Sequence, residues 1–308
     1  MSGTSQIEQS AQTRAGWNLG VIAAFGSIYF LWGTTFLAIR VAVRDIPPTF
    51  AAGTRMFFAG AILLTFMALR GVQWPTAAQW RSLAIMGVTM FAVDYAALFW
   101  AEKYLSSGIA AVISATIPLL VVLFEILLKV QRFRWSALAS VVLGLCGVSV
   151  LMIPDAKLSV PVIPVLVVLL GGCGWALGTV LTKKLPLPES KPMTAGASMA
   201  IGGVALLLLS AAFGELHPWP HISRNSALAV AYLITFGSLI AYTAYIWLLS
   251  HTPASKVASY AYVNPVVAVV LGYFFAGEVI TPRMLVGAVL VLVSVYLILR
   301  LNRDPAKA

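Results

Sequence analysis

The sequence predicts an all-α integral membrane protein of ten transmembrane helices, arranged as two inverted five-helix repeats. Two observations favour this fold class. Hydrophobic residues make up 60% of the chain and charged residues only 10%, whereas soluble domains carry about 25% charged residues. Apolar runs of roughly 20 residues, the length that a helix needs to cross a bilayer, recur along the whole chain with short connections between them.

The spans follow one another in a regular order. Pro47 and Pro48 open the second span, and Pro154 and Pro161 flank the connection between the fifth and the sixth, because proline is tolerated at a helix start but not in a helix interior. The predicted spans are 17–39, 47–69, 82–101, 107–128, 135–153, 161–182, 193–213, 226–250, 254–276 and 283–300.

Lysine and arginine residues predict the orientation of the chain. Thirteen of them lie on the side of the membrane that holds the N-terminus, against six on the other side. Because positively charged loops stay in the cytoplasm, both termini, with their polar tails 1–16 and 301–308, are expected to be cytoplasmic. The net charge of +10 is accounted for by these loops, so no nucleic-acid partner is expected.

The two halves of the chain repeat each other. Gly60 in the second span matches Gly203 in the seventh at a shift of 143 residues, among several other matches. The first repeat is expected at 17–153 and the second at 161–300. Because each repeat has an odd number of spans, the second must enter the membrane from the opposite side, which is the architecture of alternating-access transporters. A duplication retained only for packing is the alternative explanation.

Two spans carry a proline at matching positions. Pro118 lies in the fourth span and Pro265 in the ninth, 147 residues later. Proline removes one backbone hydrogen bond and its ring pushes against the preceding turn, so we expect each helix to break at this point. Paired broken helices in the two halves indicate a transport site. We expect Pro118 and Pro265 to act as hinges that close the cavity to one side and open it to the other.

Further motifs are spread over both halves. They are Trp32-Gly33, Arg55, Pro118, and Pro265 followed by Glu278 and Gly287. With the five-plus-five repeat, they resemble the EamA family of the drug/metabolite transporter superfamily, and among its members most resemble the bacterial aromatic amino-acid exporters. The resemblance implies a ten-helix basket in which spans 1, 3, 4, 6, 8 and 9 surround a central cavity. In the first half Gln131 stands where the second half has Glu278, so a role of this carboxylate is not shared between the halves.

Asp94 and Arg55 are charged residues deep inside predicted spans. An ionised carboxylate at mid-membrane costs at least about 2.5–3.5 kcal/mol, so Asp94 needs a partner or water. Both residues lie about eight residues from the outer ends of their spans and hence at similar depth, which favours a structural ion pair between them. The alternative role of Asp94 is to carry a proton or to bind the amino group of a substrate. Near the cytoplasmic end of the fourth span, Glu125 is expected to pair with Lys129.

Aromatic, hydroxyl and other polar side chains at helical spacing form the predicted substrate cavity. Residues three or four positions apart share one face of a helix, and the resemblance places these helices around the cavity. The predicted lining residues are Trp32, Thr35, Asp94, Tyr95, Phe99, Trp175, Thr179, Ser238, Tyr242, Tyr245, Tyr260 and Asn264. Packing or an interfacial belt is the alternative role for any single aromatic residue. Such walls suit a substrate with a flat or apolar side chain.

Motifs of enzymes and metal proteins are missing from the sequence. It contains no nucleophile elbow, zincin motif, Walker loop or Rossmann glycine pattern. His217 and His221 have the spacing of metal ligands, but two prolines between them prevent a helical face, so a loop is expected instead. Cys146 and Cys173 both lie in apolar runs and predict no disulfide framework. Neither a metal nor a cofactor is expected.

The sequence therefore predicts a secondary transporter that exports amino acids, including aromatic ones, across the bacterial inner membrane by alternating access. An exporter of another small metabolite or drug, a channel-like pore, and a structural or regulatory membrane protein are the alternatives. The expected partners are a small-molecule amino-acid substrate and the lipid bilayer, and a monomer is the expected form. Proton coupling and facilitated diffusion both remain open at this stage.

Overall fold

The fold is known from a computed structural model that describes residues 19–130, 132–153, 160–217, 219–252, 257 and 259–301. Within these ranges every regular element is a helix. The helices, labelled α1 to α10 in chain order, are Leu19–Ala42, Pro48–Leu69, Ala77–Ala101, Ser107–Leu127, Trp135–Leu151, Val162–Leu181, Lys191–Ala212, Arg224–Leu248, Tyr260–Ala276 and Pro282–Leu301. The last turn of α8 continues to His251. The predicted tails 1–16 and 301–308 lie outside the described residues, except for Leu301.

In the described part of the chain, seven helices are long and apolar enough to cross a membrane, whereas α5, α9 and α10 are shorter apolar helices. Each helix coincides with one predicted span, although some boundaries differ. The third begins at Ala77 rather than at residue 82 because Thr76 and Gln79 form a capping box, which satisfies two free backbone N–H groups. Residues 253–256, where the ninth predicted span begins, lie outside the described residues.

Three helices contain a π-helical segment, whose backbone hydrogen bonds join residues five positions apart instead of four. The segments are Ser27–Leu31 in α1, Gly87–Val93 in α3 and Leu233–Ile240 in α8. Shifted by the repeat distance of 147 residues, the segment of α3 falls on residues 234–240 and thus on the segment of α8. These segments change which way the following side chains point, and nothing in the sequence pattern indicated them.

Helices α2 and α7 pack with their backbones in direct contact. A methyl group added at Gly60 would lie 2.7 Å from Cα of Ala200, and one added at Gly203 would lie 2.6 Å from Cα of Phe57. Phe57 and Ala200 are matching positions of the two halves, as are Gly60 and Gly203. The contact is therefore reciprocal, in the manner of a two-fold symmetric interface. Small residues permit this close approach of membrane helices.

Helices α5 and α10 form a second reciprocal contact. A methyl group added at Gly147 would lie 2.9 Å from the carbonyl oxygen of Gly287, and the reverse substitution would give the same distance. Other helix contacts also come in counterpart pairs: α1 packs against α8 and α9, and α6 packs against α3 and α4. A cavity lies mainly between α1, α3, α4 and α9.

The helices that carry the two predicted hinge prolines differ in shape. Helix α4 is interrupted at residues 115–116, directly before the segment that starts with Ile117 and Pro118. Helix α9, by contrast, runs from Tyr260 to Ala276 with Pro265 inside it. The expectation that each proline breaks its helix is therefore wrong for α9. Proline is tolerated inside a membrane helix when the surrounding structure accommodates the backbone group that it frees.

A salt bridge ties α4 to α6 at one end of the bundle. Glu125 of α4 is mostly buried and pairs with Lys183, just after α6, and not with Lys129 as the sequence predicted. Lys129 lies beyond the end of α4 with a φ of 56°. This left-handed conformation ends the helical path, so the four-residue spacing no longer brings Lys129 over Glu125. Lys184 adds a hydrogen bond from its Nζ to the carbonyl oxygen of Leu128, at 3.1 Å.

Candidate functional site

A cavity lies at the meeting point of α1, α2, α3, α4, α6 and α9. Helices α2 and α6 contribute one lining residue each, and the other four helices contribute the rest. The lining residues are Trp32, Thr35, Phe36, Ile39, Arg55, Asp94, Tyr95, Leu98, Ala111, Ser114, Ala115, Ile117, Pro118, Trp175, Tyr260, Ala261, Asn264 and Pro265. A mostly apolar wall with a few polar groups is typical of small-molecule sites.

Seven of the predicted cavity residues lie in this wall. They are Trp32, Thr35, Asp94, Tyr95, Trp175, Tyr260 and Asn264. Both predicted hinge residues, Pro118 and Pro265, also line the cavity. Arg55, which the sequence indicated only as a partner for Asp94, belongs to the wall as well.

The other five predicted residues, Phe99, Thr179, Ser238, Tyr242 and Tyr245, are not among the lining residues. The three from α8 form a second layer behind the wall. Phe99 lies one turn beyond Tyr95 and is completely buried, with its ring centroid 6.0 Å from that of Tyr95. The hydroxyl of Thr179 donates to the carbonyl oxygen of Trp175 at 2.8 Å. Helical spacing correctly groups residues on one face, but it does not state which face meets the cavity.

Trp32 is fixed by α8 and α9 together. Its indole N–H donates to the carbonyl oxygen of Gly237, in the π-helical segment of α8, at 3.0 Å. Its ring lies edge-on to Tyr260 with centroids 4.9 Å apart, and 5.1 Å from the ring of Tyr245. Aromatic pairs in such geometries contribute about 0.5–1.5 kcal/mol beyond their buried area. This part of the wall is therefore a rigid aromatic surface.

A second aromatic group surrounds Tyr95 on the opposite helices. The rings of Tyr95 and Trp175 lie 6.3 Å apart, and Phe91 contacts both of them. Phe91 also contacts Tyr242 edge-on at 5.9 Å. Phe91 belongs to the π-helical segment of α3, and Tyr242 lies two residues after the π-helical segment of α8.

Arg55 is almost completely buried, with 2% of its surface exposed. Its Nε donates to the hydroxyl of Ser238 at 3.0 Å, and its guanidinium carbon lies 4.8 Å from the ring centroid of Tyr95. Cation–π contact of this kind is attractive and stronger when water is excluded. These contacts hold the guanidinium group at the cavity wall.

Asp94 is not paired with Arg55, contrary to the expected ion pair. Among the described residues, the single salt bridge within 4.0 Å joins Lys183 and Glu125. The Asp94 carboxylate lies in the space left by Gly171 of α6, where an added methyl group would be 3.2 Å from its Oδ1. The prediction was wrong because equal depth does not fix the direction of two side chains, and Arg55 is turned toward Ser238 and Tyr95 instead.

Asn264 connects α9 to the irregular turn of α1. With its amide oriented so that the nitrogen faces acceptors, it donates to the carbonyl oxygens of Tyr29 at 3.0 Å, Ile28 at 3.2 Å and Tyr260 at 3.3 Å. Ile28 and Tyr29 belong to the π-helical segment of α1. Asn264 therefore satisfies backbone groups that an irregular membrane helix leaves open, and its position next to Pro265 gives it a structural role in the cavity wall.

Several apolar lining residues escaped the sequence analysis. Phe36 and Ile39 of α1 lie four residues after Trp32 and Thr35, and Leu98 lies four residues after Asp94. This spacing was the signal that could have found them. The wall is therefore more apolar than its predicted aromatic and polar residues indicate.

A bundle of apolar helices around a central cavity, with counterpart contacts between its two halves, is typical of membrane transporters. The profile of the EamA-like transporter family matches this chain twice, over residues 18–153 and 162–300. The chain belongs to the EamA-like transporter family, and it is a transporter rather than an enzyme.

Named relatives have the same character. The chain is 37% identical to the uncharacterized inner membrane transporter YedA of Escherichia coli (strain K12), over 85% of each chain. It is 27% identical to the uncharacterized transporter YvbV of Bacillus subtilis (strain 168), over 88% of each chain. A solved crystal structure with 20% sequence identity has the same fold, with a TM-score of 0.64 over 92% of this chain and 98% of the other.

Proposed function

We propose that this protein is a secondary transporter that exports amino acids, including aromatic ones, across the bacterial inner membrane by alternating access. The observation that carries the proposal is that Arg55 and Asp94 line the same cavity without pairing with each other. An amino acid carries a carboxylate and an ammonium group. The guanidinium of Arg55 suits the carboxylate, and the carboxylate of Asp94 suits the ammonium group.

The aromatic walls support the same substrate class. Trp32, Tyr95, Trp175 and Tyr260 all face the cavity, and flat aromatic surfaces favour contact with a flat or apolar side chain. With both ends of the zwitterion held by charges, the side chain of the substrate lies against these rings.

Transport by proteoliposomes tests this proposal. We expect counterflow of a labelled aromatic amino acid to be competed by other amino acids. We expect weak competition by the matching amino-acid amide, which lacks the carboxylate, and by the N-acetyl derivative, which lacks the ammonium group. Arg55→Gln should abolish the preference for the free acid over the amide, and Asp94→Asn the preference for the free amine. Equal competition by all three compounds in the unmodified protein would refute the amino-acid proposal.

An exporter of a small apolar metabolite or drug is the second candidate. It is favoured by the apolar residues Phe36, Ile39 and Leu98 in the wall. In that case an uncharged aromatic compound competes at least as well as the amino acid, and the Arg55 and Asp94 variants leave its competition unchanged.

The proposal includes cytoplasmic termini, supported by thirteen basic residues on that side against six on the other. The proposed inner-membrane location is also supported by the name of the relative YedA. A reporter that is active only in the periplasm, fused after Ala308, should be silent. Activity of that fusion would reverse the assigned orientation.

A further inference from the structure

One end of the bundle holds a buried glutamate that the proposed substrate site does not use. Glu102 directly follows α3, at the end where α1 and α9 also finish and where α4 begins. Its side chain is completely buried. Neither carboxylate oxygen has a hydrogen-bond partner among the described residues. Arg40 of α1 does reach this residue, but it donates to the backbone carbonyl oxygen of Glu102 and not to the carboxylate.

A second carboxylate near Glu102 is already occupied. Gly277, with a φ of 65°, ends α9 and turns the chain so that Glu278 faces the start of α4. Glu278 accepts hydrogen bonds from the backbone N–H groups of Ser107 at 2.7 Å and Gly108 at 3.2 Å. An ionised carboxylate is favoured at a helix N-terminus, where the free N–H groups carry partial positive charge. Two backbone N–H groups thus stabilise a charge on Glu278, whereas no hydrogen bond among the described residues stabilises a charge on the Glu102 carboxylate.

The charged groups that act on Glu102 from the surrounding helices are Glu278, Arg40 and Arg55. Burial, followed by the negative charge of Glu278, raises the pKa of Glu102 well above its usual range, and the two arginines oppose this only in part. A buried carboxyl group without a charge partner becomes neutral instead of paying the cost of burying its charge. The hydroxyl of Ser107, at the start of α4, is also buried without a partner among the described residues.

We propose that Glu102 is a proton-binding site that holds this end of the bundle closed: the protonated form is buried, and loss of the proton opens the end to water. An ionised Glu102 needs hydration, and hydration requires α1, α3 and α9 to separate. Low pH on this side then favours the closed state and higher pH the open state. This proposal deepens the transport cycle proposed above, since it describes how one mouth of the same cavity is controlled.

Infrared spectroscopy of the purified protein tests proton binding without any substrate. We expect a carboxylic-acid carbonyl band at neutral pH that is lost in Glu102→Gln and retained in Glu125→Gln, the matched control at another mostly buried glutamate. The band should disappear as the pH rises. Identical spectra for the unmodified protein and Glu102→Gln would overturn the proposal. Glu278→Gln keeps Glu102 and removes the neighbouring charge, so the titration midpoint should move to lower pH; an unchanged midpoint also contradicts the proposal.

Opening is measured by a spin label in the cavity wall. Ser114→Cys carries the label in a chain whose own cysteines are changed to serine, Cys146→Ser and Cys173→Ser. A water-soluble relaxation agent should reach the label more easily as Glu102 loses its proton, whereas Glu102→Gln should stay closed at every pH. A Glu102→Gln protein with the pH response of the unmodified protein would refute the gate. Neither measurement requires transport, so both can succeed even if amino-acid counterflow fails, and the two proposals are tested separately.

Discussion

The substitution Gly60→Ala should weaken the contact between α2 and α7 more than any ordinary glycine-to-alanine change. The added methyl group would lie 2.7 Å from Cα of Ala200 and 2.7 Å from the carbonyl oxygen of Gly196, where ordinary contacts begin at 3.4 Å. The two backbones must therefore separate locally by more than about 0.7 Å, because the backbone nitrogen of Ala200 lies nearer still to the added methyl group. Neither neighbour can move aside, because both contacts are with backbone atoms.

Overpacking of this kind lowers the free energy of unfolding by about 1–3 kcal/mol. Here the loss should be near the upper limit, because the neighbouring backbone atoms are rigid. Because the chain has 308 residues, we use the lower end of the range of about 2–4 °C per kcal/mol, so the melting temperature should fall by about 6 °C. Thermal unfolding of the purified protein in detergent measures it. Gly26→Ala is the matched control, because nothing lies within 4 Å of its added methyl group, and alanine is the better helix former.

A double substitution sharpens the test. Gly60→Ala and Gly203→Ala act on the same reciprocal contact, so the second change should cost less once the first has separated the helices. Two results would contradict this reasoning. One is a melting temperature of Gly60→Ala equal to that of Gly26→Ala, and the other is a double variant whose loss of stability equals the sum of the two single losses.

Three further predictions concern the site and its hinges. Asp94→Asn should leave the melting temperature close to that of the unmodified protein, because no ion pair within 4.0 Å is broken. Transport should fall by about 10–150-fold from loss of a charged hydrogen bond of about 1.5–3 kcal/mol; a large loss of stability would restore the ion-pair interpretation. Lys183→Ala should lower the melting temperature and Lys129→Ala should not, because only the first leaves the buried glutamate of α4 without its cation; equal melting temperatures would contradict this. Pro118→Ala should slow substrate exchange with little change in substrate binding. Pro265→Ala should slow exchange less, because of these two helices only α4 is interrupted at its proline. Normal exchange rates in both variants would refute the hinge hypothesis.

Hydropathy was sufficient to predict the helices, and helical spacing together with the family resemblance predicted much of the aromatic cavity wall. Long apolar runs identify membrane helices because lipid leaves few other structures possible. Trp32, Tyr95, Trp175 and Tyr260 could be assigned to the cavity because the family resemblance implies which helices surround it.

What the sequence could not provide was the rotation of each helix about its axis. Tyr242 and Tyr245 share a face, as predicted, but this face of α8 lies behind Trp32 and Phe91 and not against the cavity. The π-helical segments explain part of this failure, because one extra residue in a turn rotates everything after it. Whether such a turn forms is decided by packing with neighbouring helices, and local composition carries no sign of it.

The partners of charged residues were missed for a related reason. Glu125 had a lysine four residues away in sequence, but the conformation of Lys129 removes it from the helix face, and a lysine 58 positions later takes its place. Arg55 likewise found Ser238, 183 positions away. Pairing rules within one helix cannot foresee partners that tertiary structure supplies.

The reciprocal glycine contacts have a consequence for how such a bundle changes state. If the inward-open and outward-open forms differ by exchanging the shapes of the two halves, each contact between counterpart helices is mapped onto itself. Such contacts then keep the same geometry throughout the transport cycle. They are the contacts at Gly60 and Gly203 and at Gly147 and Gly287. By contrast, the contact between α1 and α8 takes up the geometry of the contact between α6 and α3, and the reverse also happens. Substitutions that strengthen or weaken the glycine contacts should therefore change the stability of the protein without changing the ratio of its inward-open and outward-open forms.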